Sequence, residues 1–382
     1  MRAPIEVPCG DGRSVPDAPL ANQRRDLLDI AQPHLHIFAV ILVPLAVGRA
    51  AARDDDLHCI RLDGRVRIEI PDQLRCRRPI AGLLLQLPHR RGDRILTARA
   101  EYSSNVIAFL QVAQRSGAQI EVVPDDPHGQ LDTGALVRMI DERVKLISLT
   151  HVPTNGGLVN PAEAVGAIAR AAQVPFLLDA CQSAGQMPLN VDRLGCDMLS
   201  ATGRKYLRAP RGTGFLYVRR AWIERLDPPF LDLHAATWTT AHSYEVRRDA
   251  RRFENWESFV AGRIGLGVAV DYALRWGLEE IEERVCGLAN LLRAQLAELP
   301  DVTVQDKGAR RCGIVTFTKD SRDPSELLRR LRAQAINASV SVAAYARFDM
   351  EARGISAVMR ASVHYYNTED EVKRFCSAVA AC

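Results

Sequence analysis

The sequence predicts an α/β protein with a large domain on a mixed, mostly parallel sheet and a smaller α+β domain after it. Three observations carry this. From Arg91 onward, short apolar runs of strand length alternate with stretches of helical spacing. Two of those runs end in chemistry-bearing residues, Leu177-Leu178-Asp179 and Leu199-Ser200-Ala201-Thr202-Gly203-Arg204-Lys205. A carboxylate and a lysine at the C-terminal tips of buried strands stand where open α/β sheets hold their ligands. Beyond Gly265, two helical stretches lead into a group of short strands, which suits a separate α+β unit.

Taken in order, Gly92 to Thr97 is a turn into a strand. Glu101 to Gln114 has helical spacing through Val106, Phe109, Leu110 and Ala113, with Ser103 or Ser104 as its N-cap. Ala118 to Val123 is a strand, Asp132 to Ile140 a helix capped by Asp132, and Val144 to Thr150 a strand. Pro161 to Ala172 is a helix with Pro161 at its start. Strands follow at Val174 to Asp179, Asp197 to Ala201 and Gly214 to Val218. Residues 226–260, rich in Pro, His, Trp and charge, read as a long irregular segment, a kind often functional. Two helical stretches then run from Gly265 to Ala297, the first with Ala and Gly at close-packing spacing. Strands are expected at Val302 to Val304, Gly313 to Phe317, Ala338 to Val342 and Val358 to Ser362. A helix from Asp323 to Gln334 has Asp323 as N-cap, Pro324 first and Glu326 three residues on, and Asp370 to Ala380 closes the chain.

Residues 1–90 have another texture: thirteen arginines, nine prolines and three cysteines, with no lysine, threonine, tyrosine or tryptophan. Ala31 to Arg49 is apolar but broken by Pro33 and Pro44, Val66 to Ile70 alternates like a strand, and Ile80 to Leu87 has the look of a short helix. Such a composition fits either a GC-rich gene read out of frame or an unusual N-terminal extension. The expected division is therefore 1–90 atypical, 91–264 large domain and 265–382 small domain.

Composition excludes several classes. The 382 residues are 47% hydrophobic and 25% charged, as in soluble globular proteins. A net charge of +4 is too small to argue for nucleic acid. The longest apolar run, Ile37 to Val47, is too short to span a bilayer, and no basic leader precedes it, so a cytoplasmic protein is expected. Nine cysteines without CxxC or CxxH spacing speak against zinc and against a disulfide framework.

The candidate chemistry centres on Lys205 and Asp179. A lysine forms Schiff bases with carbonyl groups, and the small Thr202 and Gly203 before it let a ligand approach; otherwise it is a surface lysine. A carboxylate ending a buried strand either caps a helix or faces a cation, and a protonated pyridine nitrogen is one such cation. Thr202 and Arg204 suit a phosphate, or a helix cap and a surface arginine. Tyr102 follows a strand and stands near a planar cofactor, acts as an acid or packs in the core. His151 is either catalytic or a satisfied structural histidine, and Thr154 or Asn155 beside it can hydrogen-bond a ring substituent or substrate. Arg360, inside an apolar strand, needs an anion, either a substrate carboxylate or an acid of its own domain.

Together, Thr150-His151-Val152, Asn160-Pro161, Leu178-Asp179-Ala180-Cys181-Gln182-Ser183-Ala184-Gly185, Ser200-Ala201-Thr202-Gly203-Arg204-Lys205, Pro210-Arg211-Gly212-Thr213-Gly214 and Arg360-Ala361-Ser362 resemble the class V aminotransferase family. These fold-type-I pyridoxal-phosphate enzymes include cysteine desulfurases, isopenicillin N epimerase-like proteins and carbon–sulfur lyases of ergothioneine synthesis. The resemblance covers about residues 91–382. It implies pyridoxal 5′-phosphate as cofactor, Lys205 as its Schiff-base lysine and general base, and Asp179 on the pyridine nitrogen. It implies Gln182 on the ring hydroxyl or the Schiff-base region, Thr202 and Arg204 on the phosphate, and Arg360 on the substrate α-carboxylate. Glu257 and Ser258 look like a loop that in the family reaches a neighbouring subunit's cofactor, which implies a homodimer. Two departures stand out. The loop that carries the desulfurases' mobile cysteine corresponds to Ser341 to Glu351, which has none, so a persulfide-forming desulfurase is not expected, with Cys312 the remaining candidate thiol. The family's other phosphate turn is hydroxyl-rich, whereas Ile68 to Leu87 contains no Ser or Thr. The expected activity is carbon–sulfur lysis or transamination at Cα/Cβ of an amino-acid-like substrate. The alternatives are epimerisation, or a defective, non-catalytic relative. A lysine Schiff-base enzyme without cofactor fits less well, because it leaves Asp179 with no pyridine nitrogen to serve.

Overall fold

Strands that are apolar on both sides must be covered on both sides, and alternation decides which residue goes where. The computed structural model describes residues 38–39, 59–62, 65–68, 87 and 89–382, all within one compact unit spanning Ile37–Cys382. The strands are β1 (Phe38–Ala39), β2 (Cys59–Leu62), β3 (Arg65–Ile68), β4 (Arg94–Ala98), β5 (Gln119–Val123), β6 (Val144–Thr150), β7 (Phe176–Asp179), β8 (Met198–Thr202) and β9 (Gly214–Val218). Seven of them form one sheet in the order β1-β9-β8-β7-β6-β4-β5. β5, β4, β6, β7 and β8 run parallel, β9 runs antiparallel to them, and β1 pairs antiparallel with β9. Phe176, Leu178, Leu199 and Tyr217 enter the core on one face, and Leu177, Met198, Leu216 and Val218 the core on the other. This is the double cover that the alternating strand and helix pattern predicts.

The crossovers are the helices α1 (Ser103–Ser116), α2 (Thr133–Met139) and α3 (Ala162–Ala171). Asp132 caps α2 as expected, accepting from Gly134 N and Ala135 N. The N-cap of α1 differs from expectation. Tyr102 holds that position without a side-chain cap. The Tyr102 amide donates to the buried Glu101 Oε1 at 2.8 Å, so the N-cap residue's own N–H is satisfied by a carboxylate.

Residues 226–260 are more regular than the sequence suggests. They contain the hairpin β10 (Ala236–Thr240) and β11 (Ser243–Val246) and a 3₁₀ turn at Ala250–Phe253. Most of the hairpin is exposed, so no buried apolar alternation marked it. Helix α4 (Val260–Trp276) follows, and Gly277 separates it from α5 (Leu278–Ala297). A second, antiparallel sheet has the order β12 (Val302–Val304), β13 (Ile314–Lys319), β15 (Ala357–Ser362) and β14 (Ser339–Val342). Helices α6 (Pro324–Ala333) and α7 (Glu369–Ala381) complete it. Asp323 caps α6, while the Glu326 carboxylate turns to Arg330 rather than back to the cap. The alternating run near Val66 is β3, paired with β2. The expected helix at Ile80 to Leu87 and the apolar run from Ala31 to Arg49 lie largely outside the described residues.

One glycine joins the two strand tips that matter. Gly185 has φ +87°, and a Cβ there would sit 2.6 Å from the Leu207 amide nitrogen. The chain after Asp179 therefore lies directly on the chain after Lys205, with no room for a side chain between them. Gly185→Ala is expected to lose about 1–3 kcal/mol of stability, from strain and the backbone clash together; urea denaturation monitored by circular dichroism measures it.

Candidate active site

Parallel pairing aligns the C-terminal ends of neighbouring strands, and in this sheet each end carries a functional group. Thr150 of β6 is opposite Asp179 of β7, which is opposite Ser200 of β8. Thr154 follows β6, Gln182 follows β7, Arg204 and Lys205 follow β8, and Glu101 and Tyr102 follow β4. Arg360 comes from the other sheet, on β15.

Asp179 is 6% exposed. Its Oδ1 accepts from the Cys181 amide at 2.9 Å and its Oδ2 from Asn105 Nδ2 at 2.8 Å. Among the described residues it forms no ion pair. Lys205 stands close enough for the Asp179 charge to act on it, yet burial dominates and holds its amine below the ordinary lysine pKa, with Arg204 and Arg360 pushing the same way. An amine depressed in this way is more often neutral, hence nucleophilic and basic. Gly203 before it is required by packing: a Cβ there would meet Thr213 Oγ1 at 2.4 Å. Thr202 Oγ1 leans to the Thr213 carbonyl at 3.4 Å, and Arg204 is exposed without an ion pair among the described residues.

Thr154 is the junction of the site. Its Oγ1 accepts from Arg360 Nη1 at 2.9 Å and from Gln182 Nε2 at 3.3 Å. Arg360 Nε donates to Ser362 Oγ at 3.1 Å. No carboxylate pairs with Arg360 among the described residues, so the acid of its own domain that the sequence left open is not its partner. Tyr102 lies near enough for its phenol to act on Arg360.

His151 stands beside the Asp179 strand tip, its backbone N–H donating to the Asp179 carbonyl at 3.0 Å. It is buried, its pKa lowered to about 4 first by burial and then by the Arg310 charge, so its imidazole is neutral, and its Nδ1 has no hydrogen-bond partner. The remaining candidates make other contacts. Asn155 is buried with its amide on Met350 Sδ at 2.8 Å, while its Oδ1 has no partner. Ser258 sits in the loop before α4 and makes no side-chain hydrogen bond among the described residues. Cys312 is fully buried; its thiol is pushed up to about 12 by burial, and its sulfur accepts from the Ile314 amide.

Sequence reading missed Glu101 and Asn105. Glu101 is 1% exposed and its pKa is raised to about 7, chiefly by burial. Both look like ordinary polar residues at a helix start, and the one available signal was the acid directly before the α1 N-terminus.

Comparison with known proteins names this arrangement. Residues 80–375 match the aminotransferase class-V family model. The chain is 32% identical over 293 residues to a probable cysteine desulfurase of Xylella fastidiosa, covering 76% of this chain and 69% of that one. A probable cysteine desulfurase of Halalkalibacterium halodurans is 31% identical over 289 residues, covering 74% and 68%. Among solved structures, a cysteine desulfurase from Thermococcus onnurineus NA1 superposes with TM-score 0.73 at 29% identity, covering 79% of this chain and 75% of that one. A mutant of C-DES with glycine covalently linked to its PLP cofactor superposes with TM-score 0.70 at 25% identity, covering 79% and 77%. The chain belongs to the class-V aminotransferase family. It is a fold-type-I, pyridoxal-phosphate-dependent enzyme of lyase or transferase type.

The residues present fit that cofactor at its ring and carbonyl ends. A buried carboxylate with amide donors on both oxygens and no ion pair suits a pyridinium N–H, and a depressed amine suits the carbonyl. At the phosphate end, Thr202 and Arg204 are the residues the sequence proposed for it, and the segment that would hold the second turn, Ile68 to Leu87, lies largely outside the described residues. The thiol geometry is directly testable. In the native protein, Cys312 is expected to resist iodoacetamide at pH 8 and to react fully after denaturation, as read by peptide mass mapping.

Proposed function

We propose that this enzyme is a cytoplasmic carbon–sulfur lyase that eliminates a thiol or persulfide from an S-substituted cysteine. The observation that carries this is the pairing of a depressed Lys205 amine and an amide-held Asp179 carboxylate with no reactive thiol on the β14-to-β15 loop. Ser341 to Glu351 holds no cysteine, and Cys312 is buried with its thiol pushed up to about 12. Relatives named as cysteine desulfurases and solved neighbours that include the cystine C–S lyase C-DES support the sulfur-bearing substrate.

Each residue then has a task. Arg360 holds the substrate α-carboxylate through its guanidinium fork, and Thr154 orients Arg360 by accepting one of its N–H groups. Lys205 would hold the cofactor by its carbonyl group, and its amine would take the Cα proton of the substrate. Asp179 would keep a proton on the ring nitrogen. Thr202 and Arg204 would hold the phosphate, and Gln182 the ring hydroxyl. The cofactor, when bound, supplies an electron sink for the Cα electron pair. Loss of the Cβ–S bond yields the thiol, and addition of water to the remaining unsaturated amine gives pyruvate and ammonium. Tyr102, beside Arg360, stands where a substrate or ring would pass. Transamination or epimerisation needs the same proton transfer but keeps the Cβ substituent.

Purified protein supplied with pyridoxal phosphate is expected to show a visible band that borohydride bleaches, to lack it as Lys205→Ala, and to give one pyruvate and one ammonium per S-substituted cysteine. Alanine with an enzyme-bound persulfide, or a keto acid with its sulfur retained, would overturn the lyase assignment.

The same proposal includes a homodimer and a division into a large lobe around the seven-stranded sheet and a small lobe around the four-stranded one. Helix α4 exposes Val260, Ile264, Val268, Tyr272 and Trp276, each four residues from the last, with Trp256 and Phe259 exposed just before it. Its buried side carries Gly262, Leu266 and Ala273 and packs on the lysine turn, so that a Cβ on Gly203 would sit 3.0 Å from Leu266 Cδ1. An apolar stripe of this length on a soluble protein is characteristic of a protein interface. Ile264→Glu is expected to convert a dimer into monomer in light-scattering chromatography; a monomeric parent would sink the reading.

A further inference from the structure

Beneath Asp179 lies a second carboxylate that the chemistry above does not use. Glu101 Oε1 accepts from the Tyr102 amide at 2.8 Å, from Asn105 Nδ2 at 2.8 Å and from the Thr150 hydroxyl, and its Oε2 accepts from Thr97 Oγ1 at 2.9 Å. Its neighbours come from every element around it: Thr97 on β4, Asn105 on α1, Thr150 on β6 and Asp179 on β7. The charge acting on Glu101 is that of Asp179; no cation pairs with it among the described residues. Asn105 Nδ2 spends one hydrogen on Glu101 and the other on Asp179 Oδ2 at 2.8 Å. The amide can satisfy both carboxylates only with its nitrogen turned toward them, so each acid fixes the orientation that serves the other.

We propose that Glu101 is a positioning residue that, through Asn105, orients the Asp179 carboxylate and, by gaining or losing its own proton, sets how strongly Asp179 holds a cation. This rests on the pyridoxal-phosphate reading only for the identity of that cation. Burial, and with it the like charge of Asp179 beside it, raises the Glu101 carboxyl to about 7. With Glu101 protonated, its own site is neutral. With Glu101 ionised, the added negative charge draws a cation at Asp179 more tightly. Folding raises the proton affinity of Glu101. Its contribution to stability is therefore fully present below the ordinary glutamate range and is lost as pH rises through neutrality.

The test is a pH titration of the full-length protein labelled with carboxyl-¹³C glutamate, followed by infrared spectroscopy. The protonated-glutamate carbonyl band is expected to disappear with a midpoint near neutrality, to be missing in Glu101→Gln, and to titrate at least about one pH unit lower in Asp179→Asn. Asn105→Ala, which keeps both acids, should also move the midpoint, and circular dichroism confirms that each variant is folded. A midpoint in the ordinary range near pH 4.3, or one that Asp179→Asn leaves in place, overturns the proposal. Added pyridoxal phosphate should lower the wild-type midpoint and leave that of Asp179→Asn unchanged. If Asp179→Asn shifts the midpoint while pyridoxal phosphate does not, the coupling stands and the cofactor reading falls.

Discussion

The structure depends on holding the Asp179 carboxylate buried at the tip of a parallel strand. Removing a carboxylate from water costs several kcal/mol unless hydrogen bonds or a counter-charge replace the lost hydration. The Cys181 amide and Asn105 supply the hydrogen bonds. That requirement explains much of the surrounding sequence. Asn105 must sit in the first turn of α1, Glu101 must hold Asn105 from below, and Thr97 and Thr150 must satisfy Glu101. Gly185 must be a glycine so that the chain leaving Asp179 can lie against Leu207, beyond the lysine.

The two sheets contribute differently. The seven-stranded sheet places Asp179, Lys205, Gln182 and Thr154 along one edge through the register of β6, β7 and β8. The four-stranded sheet contributes Arg360, whose guanidinium reaches across to Thr154. A carboxylate clamp on a different element from the proton-transfer lysine is sensitive to how the two sheets sit on each other. The buried Arg293–Asp306 ion pair, at 2.7 Å, stiffens the small side of that arrangement by tying α5 to the chain entering β13. Arg293 also donates to the carbonyls of Cys312 and Ile314, which leaves Cys312 a structural residue rather than a nucleophile.

Most elements could be read from the sequence because both-face burial leaves runs such as Val174 to Leu178 and Gly214 to Val218 almost wholly apolar. Helix starts with short polar caps were legible for the same local reason, as Asp132 and Asp323 show. The β10–β11 hairpin was not, because its exposed residues carry no burial pattern. The cap of α1 was misread because the N-cap lies one residue before the serines, at Tyr102, which has no side-chain cap.

By itself the sequence determined the chemistry's vocabulary: an acid and a lysine at two strand tips, a hydroxyl and guanidinium beside the lysine, and an arginine in a distant apolar strand. Strand periodicity and residue type are local properties, so they survive without coordinates. Only the tertiary structure decided which of these residues meet. It joined Arg360 to Thr154 across 206 residues and left Arg360 without an acid of its own among the described residues. It set His151 against the Asp179 backbone and buried Cys312 beyond reach. It also set Glu101 and Asn105 beneath Asp179, a juxtaposition that packing and desolvation create between residues 74 apart in the chain.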